Sequence, residues 1–192
     1  MVDIENYLYE KILPIIKTWD EKNIYAISFF VHSNEAFTYK NYSNVFEFAI
    51  SYNTEEDCNS VSSLSEERWN FAFWRQDMCY IITPNDEDDG IKKLFEWYKE
   101  KGIENIGLKN SNADYDEKYQ YIGKGPIGYW ELLNSVSNVA RRLQQEGIIL
   151  KQFGKIPIIV HDLEYSWYVA KLTDNANPNN EATTFLKYLI AK

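Results

Sequence analysis

The sequence predicts an α+β fold, in which a mixed or mainly antiparallel sheet is packed by several helices in a single domain spanning residues 1–192. Segments with strand character cluster in the first half of the chain, and segments with helical periodicity cluster in the second half. This order is typical of α+β proteins rather than of doubly wound parallel sheets. A chain of 192 residues can bury a sizeable core, and no repeat, low-complexity tract or flexible linker divides it.

The chain begins with a predicted helix over residues 3–20. Asp3 is a suitable N-cap, and an apolar stripe runs along one face from Ile4 to Trp19. Pro14 lies within this pattern. We expect it to kink or split the helix, because proline lacks the N–H group that a helix interior uses.

Four segments in the first half are predicted as strands. Ile24–His32 is rich in β-branched and aromatic residues, as buried strands are. Val45–Tyr52 alternates between two faces with a period of two residues. Residues 35–40 are a short hairpin partner, and Met78–Thr83 is a further short strand. The polar residues 53–67 are predicted as a loop that includes at most a short helical turn.

Helices dominate the second half. Residues 84–102 are predicted as a helix that opens on an acidic turn and ends at Gly102, with one apolar face. The clearest helix is Tyr129–Gln145, whose inner face repeats leucine, valine and alanine at helical spacing. The remaining predicted elements are strands at 119–122 and Ile156–His161 and helices at 166–173 and 181–190.

The acidic charge is concentrated in one part of the chain. The formal net charge is −9, and residues 54–117 contain 16 acidic and 7 basic residues, which accounts for all of it. A local negative field disfavours DNA, RNA and anionic membranes and favours a basic protein partner. Solvated acidic loops that keep the protein soluble are the alternative interpretation.

The sequence also predicts a cytoplasmic protein without a membrane anchor. No apolar run approaches the roughly 18 residues that a membrane span needs, and the acidic N-terminus lacks the basic start of a secretory signal. Cys58 and Cys79 are the two cysteines. Free thiols in a reducing cytosol are the expected state, because a chain of this size does not need a disulfide.

Gly123–Gly128 matches the spacing of a dinucleotide-binding glycine loop between a possible strand and a strong helix. Such a loop holds a pyrophosphate with backbone N–H groups and a helix N-terminus. Pro126 removes one donor, and no acidic residue closes a following strand about 20 positions on. A glycine turn that enters a helix is therefore the favoured interpretation, and no nucleotide cofactor is predicted.

Asn85–Glu96 partly matches a calcium-binding loop, with carboxylates at three of the expected positions. The segment before it has strand rather than helix character, so an acidic first helical turn is favoured. His161, Asp162 and Glu164 are candidates for half of a carboxylate-rich site, in which the histidine would act as a base or a metal ligand. A structural role of these residues at a strand end is the favoured interpretation. No metal ion is predicted.

The run from Arg68 to Arg75 interleaves two arginines with four aromatic residues. Core packing with a partly exposed rim is the favoured interpretation, because the neighbouring carboxylates would repel phosphates. If Trp69 or Trp74 is exposed, either is a typical anchor of a protein interface.

Five segments together resemble an uncharacterised bacterial domain family of about this length. They are Tyr25–Phe29, Asn53–Glu56, Arg68–Trp69, Val160–Tyr165 and Ala176–Pro178. Domains of this general kind are often suspected to be immunity proteins, which are antidotes to polymorphic or contact-dependent toxins. The resemblance implies no catalytic residues.

These observations predict a non-catalytic, cytoplasmic immunity protein that neutralises a basic toxin domain by direct binding. The alternative is an enzyme or small-ligand-binding protein that uses the Gly123–Gly128 loop or the His161, Asp162 and Glu164 group. The partner surface is predicted in the acidic middle third of the chain. Its proposed residues are Glu55, Glu56, Asp57, Trp69, Trp74, Asp86, Glu87, Asp88 and Asp89.

Overall fold

A mixed sheet with helices packed around it forms the centre of the molecule. The computed structural model describes residues 1–33, 46–59, 61–83, 89–108, 117–118, 122–163, 165 and 167–191. The predicted hairpin partner at 35–40 lies outside these residues. The predicted strand at 119–122 lies outside them except for Ile122, which is not in a strand.

The sheet has four strands in the described part of the chain: β1 (Ile24–Ser33), β2 (Phe46–Thr54), β3 (Cys79–Ile82) and β4 (Ile158–His161). Their order across the sheet is β3-β2-β1-β4. The β1–β2 and β2–β3 pairs are antiparallel, and the β1–β4 pair is parallel. The predicted α+β class with a mixed sheet is therefore confirmed.

Seven α-helices and one 3-10 helix lie in the described residues. They are α1 (Ile4–Thr18), α2 (Glu66–Trp69), the 3-10 helix (Phe71–Phe73), α3 (Asp89–Glu100), α4 (Tyr129–Gln145), α5 (Ile148–Phe153), α6 (Trp167–Ala176) and α7 (Thr183–Ala191). Helix α4 has the predicted bounds, and the predicted helix over 166–173 is confirmed as α6. None of the described helices is long and apolar enough to cross a membrane.

Helix α1 forms as the sequence predicts at its start and differs at Pro14. The carboxylate of Asp3 accepts a hydrogen bond from the backbone N–H of Asn6 at 2.9 Å, which caps the first turn. The helix continues through Pro14 instead of splitting there. Pro14 and Glu10, whose carbonyl loses its partner, are both exposed, so water can replace the missing hydrogen bond.

Both faces of the sheet are covered, which explains why β1 has apolar residues on both faces rather than alternating with polar ones. Helix α4 lies on one face, where the Tyr129 hydroxyl donates to the carbonyl of Val31 at 2.8 Å. The other face carries α2 and the 3-10 helix. There Phe30 of β1 stacks on Phe71 with ring centroids 5.0 Å apart. This second face positions the candidate site.

Candidate functional site

The residues between β2 and β3 form an ordered layer on the sheet, which we call the acidic platform (residues 54–59 and 61–77). Arg68 of α2 fixes its position. Its guanidinium donates to both carboxylate oxygens of Glu55, one of them at 2.7 Å, and lies 4.0 Å from the ring centroid of Tyr25. These hydrogen bonds hold the pKa of Glu55 below its usual value. The pair therefore ties the end of β2 to α2.

Arg75 makes the second tie. It pairs with Asp57 at 3.0 Å and with Glu21 at 2.8 Å, and so joins the platform to the β1 approach. Asp57 also accepts from the hydroxyl of Thr54 at 2.7 Å. Partial burial would raise the pKa of Asp57, but these hydrogen bonds outweigh it and lower the pKa.

Three of the five segments that carry the resemblance, those with Tyr25, Asn53 and Arg68, meet in this layer. The Tyr25 hydroxyl donates to the carbonyl of Arg68 at 2.6 Å and accepts from the Asn53 amide at 3.0 Å. A register shift in β1 falls between Ile24 and Ala26 and brackets Tyr25, and such irregularities commonly re-aim a side chain. The resembling residues thus position the platform.

The outward charge of the platform is negative. Residues 54–77 contain six acidic residues, two arginines and no lysine, and both arginines are bound to carboxylates as described. Glu55 and Asp57, which we predicted as partner-binding residues, are largely used in these internal pairs. The exposed carboxylates are Glu56, Glu66, Glu67 and Asp77.

Of the predicted acidic cluster, Asp89 is exposed at the first residue of α3, and Asp86, Glu87 and Asp88 lie outside the described residues. The first four positions of the partial match to a calcium-binding loop, residues 85–88, also lie outside the described residues. Among the described residues, no group of three or more histidine, cysteine, aspartate or glutamate side chains is placed to hold a metal ion.

Trp69 and Trp74 are core residues, each only 3% exposed. Their indole N–H groups donate to the carbonyls of Ser63 at 2.6 Å and Arg68 at 2.9 Å, so their polar atoms are also satisfied inside the protein. We predicted that Trp69 or Trp74 would be an interface anchor if it were exposed. Neither side chain is exposed, so this condition is not met. The 3-10 turn points Phe71 inward and leaves Phe73 55% exposed, and Leu64 is 50% exposed. The sequence analysis missed both.

His161 forms a buried pair with Ser28, a residue that the sequence analysis did not single out. Ser28 Oγ lies 2.7 Å from His161 Nε2, and Nδ1 lies 2.8 Å from the carbonyl of Asp162. A carbonyl can only accept, so Nδ1 carries the proton and Nε2 accepts from the serine. Burial lowers the pKa of His161 to about 4, against the opposite effect of the Asp162 hydrogen bond.

The pair has the contacts of a nucleophile and a base, but it is sealed in the core. Ser28 is 0% exposed and His161 is 1% exposed, and the rings of Phe71 and Tyr165 lie 4.7 and 5.6 Å from the imidazole. A substrate carbonyl cannot reach the serine in this conformation. The side chain of Asp162 points elsewhere and accepts from the Tyr168 hydroxyl at 2.5 Å. Glu164 lies outside the described residues.

The Gly123–Gly128 loop uses its backbone for packing. The N–H of Ile127 donates to the carbonyl of Leu108 at 3.0 Å, and the N–H of Tyr129 donates back to Pro126 at 2.9 Å. In a pyrophosphate-binding loop, backbone N–H groups such as these would have to donate to the phosphate oxygens instead. Gly128 has a φ of +88°, and the Tyr98 hydroxyl donates to its carbonyl at 2.8 Å. The loop is therefore a tight turn into α4.

Gly128→Ala is expected to destabilise the protein by about 2–3 kcal/mol, because the backbone is left-handed and the position is crowded. An added Cβ would lie 3.1 Å from the ring of the fully buried Tyr98. Gly147→Ala is the matched control, since Gly147 has a φ of +71° but nothing within 4 Å of an added Cβ. We expect it to cost about 1 kcal/mol. Chemical denaturation measures both, and equal losses would contradict the packing role of Gly128.

No protein-family model, curated protein or solved structure matches this chain. The family resemblance stays a prediction, and we infer the function from the geometry of the molecule itself.

Proposed function

We propose that this protein is a non-catalytic binding protein of the immunity type, which neutralises a basic toxin domain by direct binding through the acidic platform. One observation carries the proposal. The platform is fixed to the sheet by the Arg68–Glu55 and Arg75–Asp57 pairs, which use both of its arginines, and it carries an exposed phenylalanine, Phe73, as well as four exposed carboxylates.

A fixed platform favours binding because little conformational freedom is lost on association. Ordering a flexible side chain at an interface costs roughly 0.5–1.5 kcal/mol. Arg68 is already ordered by Glu55 and by the ring of Tyr25, and Trp69 and Trp74 anchor the layer from below. The surface is therefore preorganised for a partner.

Phe73 and the carboxylates have different tasks in this proposal. Glu56, Glu67 and Asp77 are exposed and attract a basic partner over a distance, which mainly raises the association rate. Phe73 supplies the apolar anchor that the partner buries, and the loss of such an anchor typically costs about 2 kcal/mol or more. Because Phe73 is 55% exposed, its replacement leaves the fold intact.

Affinity capture from the cells that naturally make this protein tests the proposal. The baits are the wild type, the anchor variant Phe73→Ser, and the platform charge variant Glu56→Gln/Glu67→Gln/Asp77→Asn. We expect the wild type to recover a basic protein and the anchor variant to recover about tenfold less of it or lower still. Production of that protein alone should harm growth, and its production together with the wild type should restore growth.

The matched control removes three exposed carboxylates outside the platform, by Glu10→Gln, Glu131→Gln and Asp174→Asn. It changes the net charge equally and should capture the partner as the wild type does. A partner that all variants recover equally would contradict the assignment of the surface. A partner whose production does not harm growth would contradict the immunity function while leaving the platform as a binding surface.

A further inference from the structure

A groove opens at the beginning of α1, where this helix meets α3 and α4. It has a volume of about 400 Å³ and is lined by residues 1–5, Trp97, Lys101 and Ser135. Its walls include the apolar side chains of Val2, Ile4 and Trp97. Small-molecule sites typically have volumes of about 300–1,000 Å³ and combine apolar walls with a few polar groups. The groove has both properties.

Polar contacts from the start of α1 to both neighbouring helices fix the walls of the groove. The backbone N–H of Val2 donates to the carboxylate of Glu100 on α3 at 2.6 Å, and the amino group of Met1 lies 3.8 Å from the same carboxylate. On the other side, the Asn138 amide of α4 donates to Glu5 at 2.8 Å. The groove is therefore preformed, and little conformational freedom has to be lost when a ligand binds.

Two buried polar groups at the groove have no hydrogen-bond partner within the described part of the chain. They are the hydroxyl of Ser135, a residue that is 5% exposed, and the indole N–H of Trp97, which is 6% exposed. By contrast, the buried Trp69 and Trp74 both donate to carbonyls. Because buried indole and hydroxyl groups normally have partners, these two point to a ligand that accepts hydrogen bonds in the groove.

The first turn of α1 adds backbone donors. The N–H groups at the beginning of a helix have no carbonyl partner within it. Asp3 accepts from the N–H of Asn6, whereas the N–H groups of Ile4 and Glu5 have no partner among the described residues. Ile4 and Glu5 both line the groove. The uncharged groups that lack a partner here are therefore mainly donors.

The charged groups at the groove favour an uncharged ligand. Lys101 contributes one ammonium, and Asp3 and Glu5 contribute two carboxylates. Glu131 is exposed one turn before Ser135 on α4. These carboxylates would repel an anion, and a cationic group could not accept a hydrogen bond from an indole N–H, which only donates. An uncharged molecule with an acceptor oxygen meets neither obstacle.

We propose that the groove binds an uncharged small molecule in which a carbonyl oxygen lies next to an apolar body. The oxygen accepts from the Ser135 hydroxyl and the Trp97 indole N–H, for which its two lone pairs suffice. The apolar body packs against Val2 and Ile4. None of the lining residues belongs to the acidic platform, so this site goes beyond the proposed function and does not depend on it.

An NMR titration of the nitrogen-labelled full chain with phenylacetamide tests the proposal. This probe is uncharged and has about ten non-hydrogen atoms, so we expect a Kd of about 1–5 mM. The indole resonance of Trp97, identified as the one missing from Trp97→Phe, should shift, while those of Trp69 and Trp74 stay in place. Phenylacetate, which is anionic, and ethylbenzene, which has no acceptor, should each bind severalfold more weakly.

Ser135→Ala should weaken the binding of phenylacetamide roughly fivefold, because one hydrogen bond to the ligand is lost. It should leave the melting temperature unchanged or higher, since the hydroxyl has no partner in the protein and alanine favours the helix. Ser137→Ala is the matched control. Ser137 is also buried on α4 but donates to the carbonyl of Leu172 at 2.7 Å, so its loss should lower the melting temperature and leave the affinity unchanged.

An unshifted Trp97 indole resonance at about 20 mM phenylacetamide, several times the expected Kd, would overturn the proposal. So would equal affinities of Ser135→Ala and the wild type. Tighter binding of phenylacetate or ethylbenzene would show that the ligand class is wrong. The Glu56→Gln/Glu67→Gln/Asp77→Asn platform variant should bind phenylacetamide as the wild type does, which separates this test from that of the proposed function.

Discussion

Replacing Asn177 with alanine is expected to destabilise the protein by about 3–5 kcal/mol, the largest effect of any single polar substitution that we propose. Asn177 is 3% exposed and follows α6. Its Oδ1 accepts from the N–H of Ile158 at 2.9 Å and from the Gln144 amide at 3.0 Å. Its Nδ2 donates to the carbonyls of Ile158 at 2.7 Å and Thr173 at 2.6 Å.

The large cost follows from what the substitution leaves behind. All four hydrogen-bonding positions of the Asn177 amide are used, so alanine strands the backbone groups of Ile158 on the β4 side and the side chain of Gln144 on α4. Asn179→Ala is the matched control, because Asn179 is exposed two residues later, and we expect it to cost about 0.5 kcal/mol or less. Urea titration measures both. A loss of about 1 kcal/mol or less for Asn177→Ala would contradict its role as the link between β4, α4 and α6.

The protein is expected to lose roughly 3 kcal/mol of its free energy of unfolding between about pH 7 and about pH 4, because of His161 alone. Burial lowers the pKa of His161 in the folded state to about 4, below its usual value of 6.5. Between these values the unfolded chain binds a proton that the folded protein does not. The free energy of unfolding therefore rises with pH through this window and is fully recovered above it.

His161→Gln isolates this effect. The substitution is itself destabilising because it disrupts the pair with Ser28, but the variant lacks the titrating group. Denaturant titrations at several pH values and constant ionic strength give the slopes. We expect the gap between wild type and variant to narrow as the pH falls from about 6.5 to about 4. The lowered pKa values of Glu55 and Asp57 add a loss that begins at lower pH and is the same in both proteins. Parallel slopes would show that the histidine is not held neutral by burial.

The fold could be predicted where the local pattern agrees with the tertiary structure. Helix α4 has a long apolar face and a glycine at each end, so its bounds were predicted correctly. β1 was predicted because a strand covered on both faces is rich in β-branched and aromatic residues on both of them. Helix α5 was missed because it has six residues, fewer than two turns, which is too short to show a helical period.

The candidate site was harder to predict because its contacts join residues that are far apart in sequence. Ser28 and His161 are separated by 133 positions, and no local pattern links them. From the sequence, Glu55 is expected to be a solvent-exposed carboxylate. Only the folded structure shows that it accepts hydrogen bonds from Arg68. In the aromatic run, composition shows that several rings must be buried, but the 3-10 turn decides that Trp69 and Trp74 lie inside and Phe73 outside.

The salt dependence of association is the most direct test of the acidic platform as the partner surface. Stopped-flow or surface plasmon resonance would measure the rate at which the captured basic partner associates with the wild type and with the Glu56→Gln/Glu67→Gln/Asp77→Asn variant. We expect the variant to associate roughly tenfold more slowly at about 0.05 M salt, with the difference nearly gone at about 0.5 M salt. The Glu10→Gln/Glu131→Gln/Asp174→Asn control should retain the wild-type rate at both. If the platform variant and the wild type associate at the same rate at low salt, the exposed carboxylates are ordinary solvated surface, and the partner binds elsewhere on the molecule.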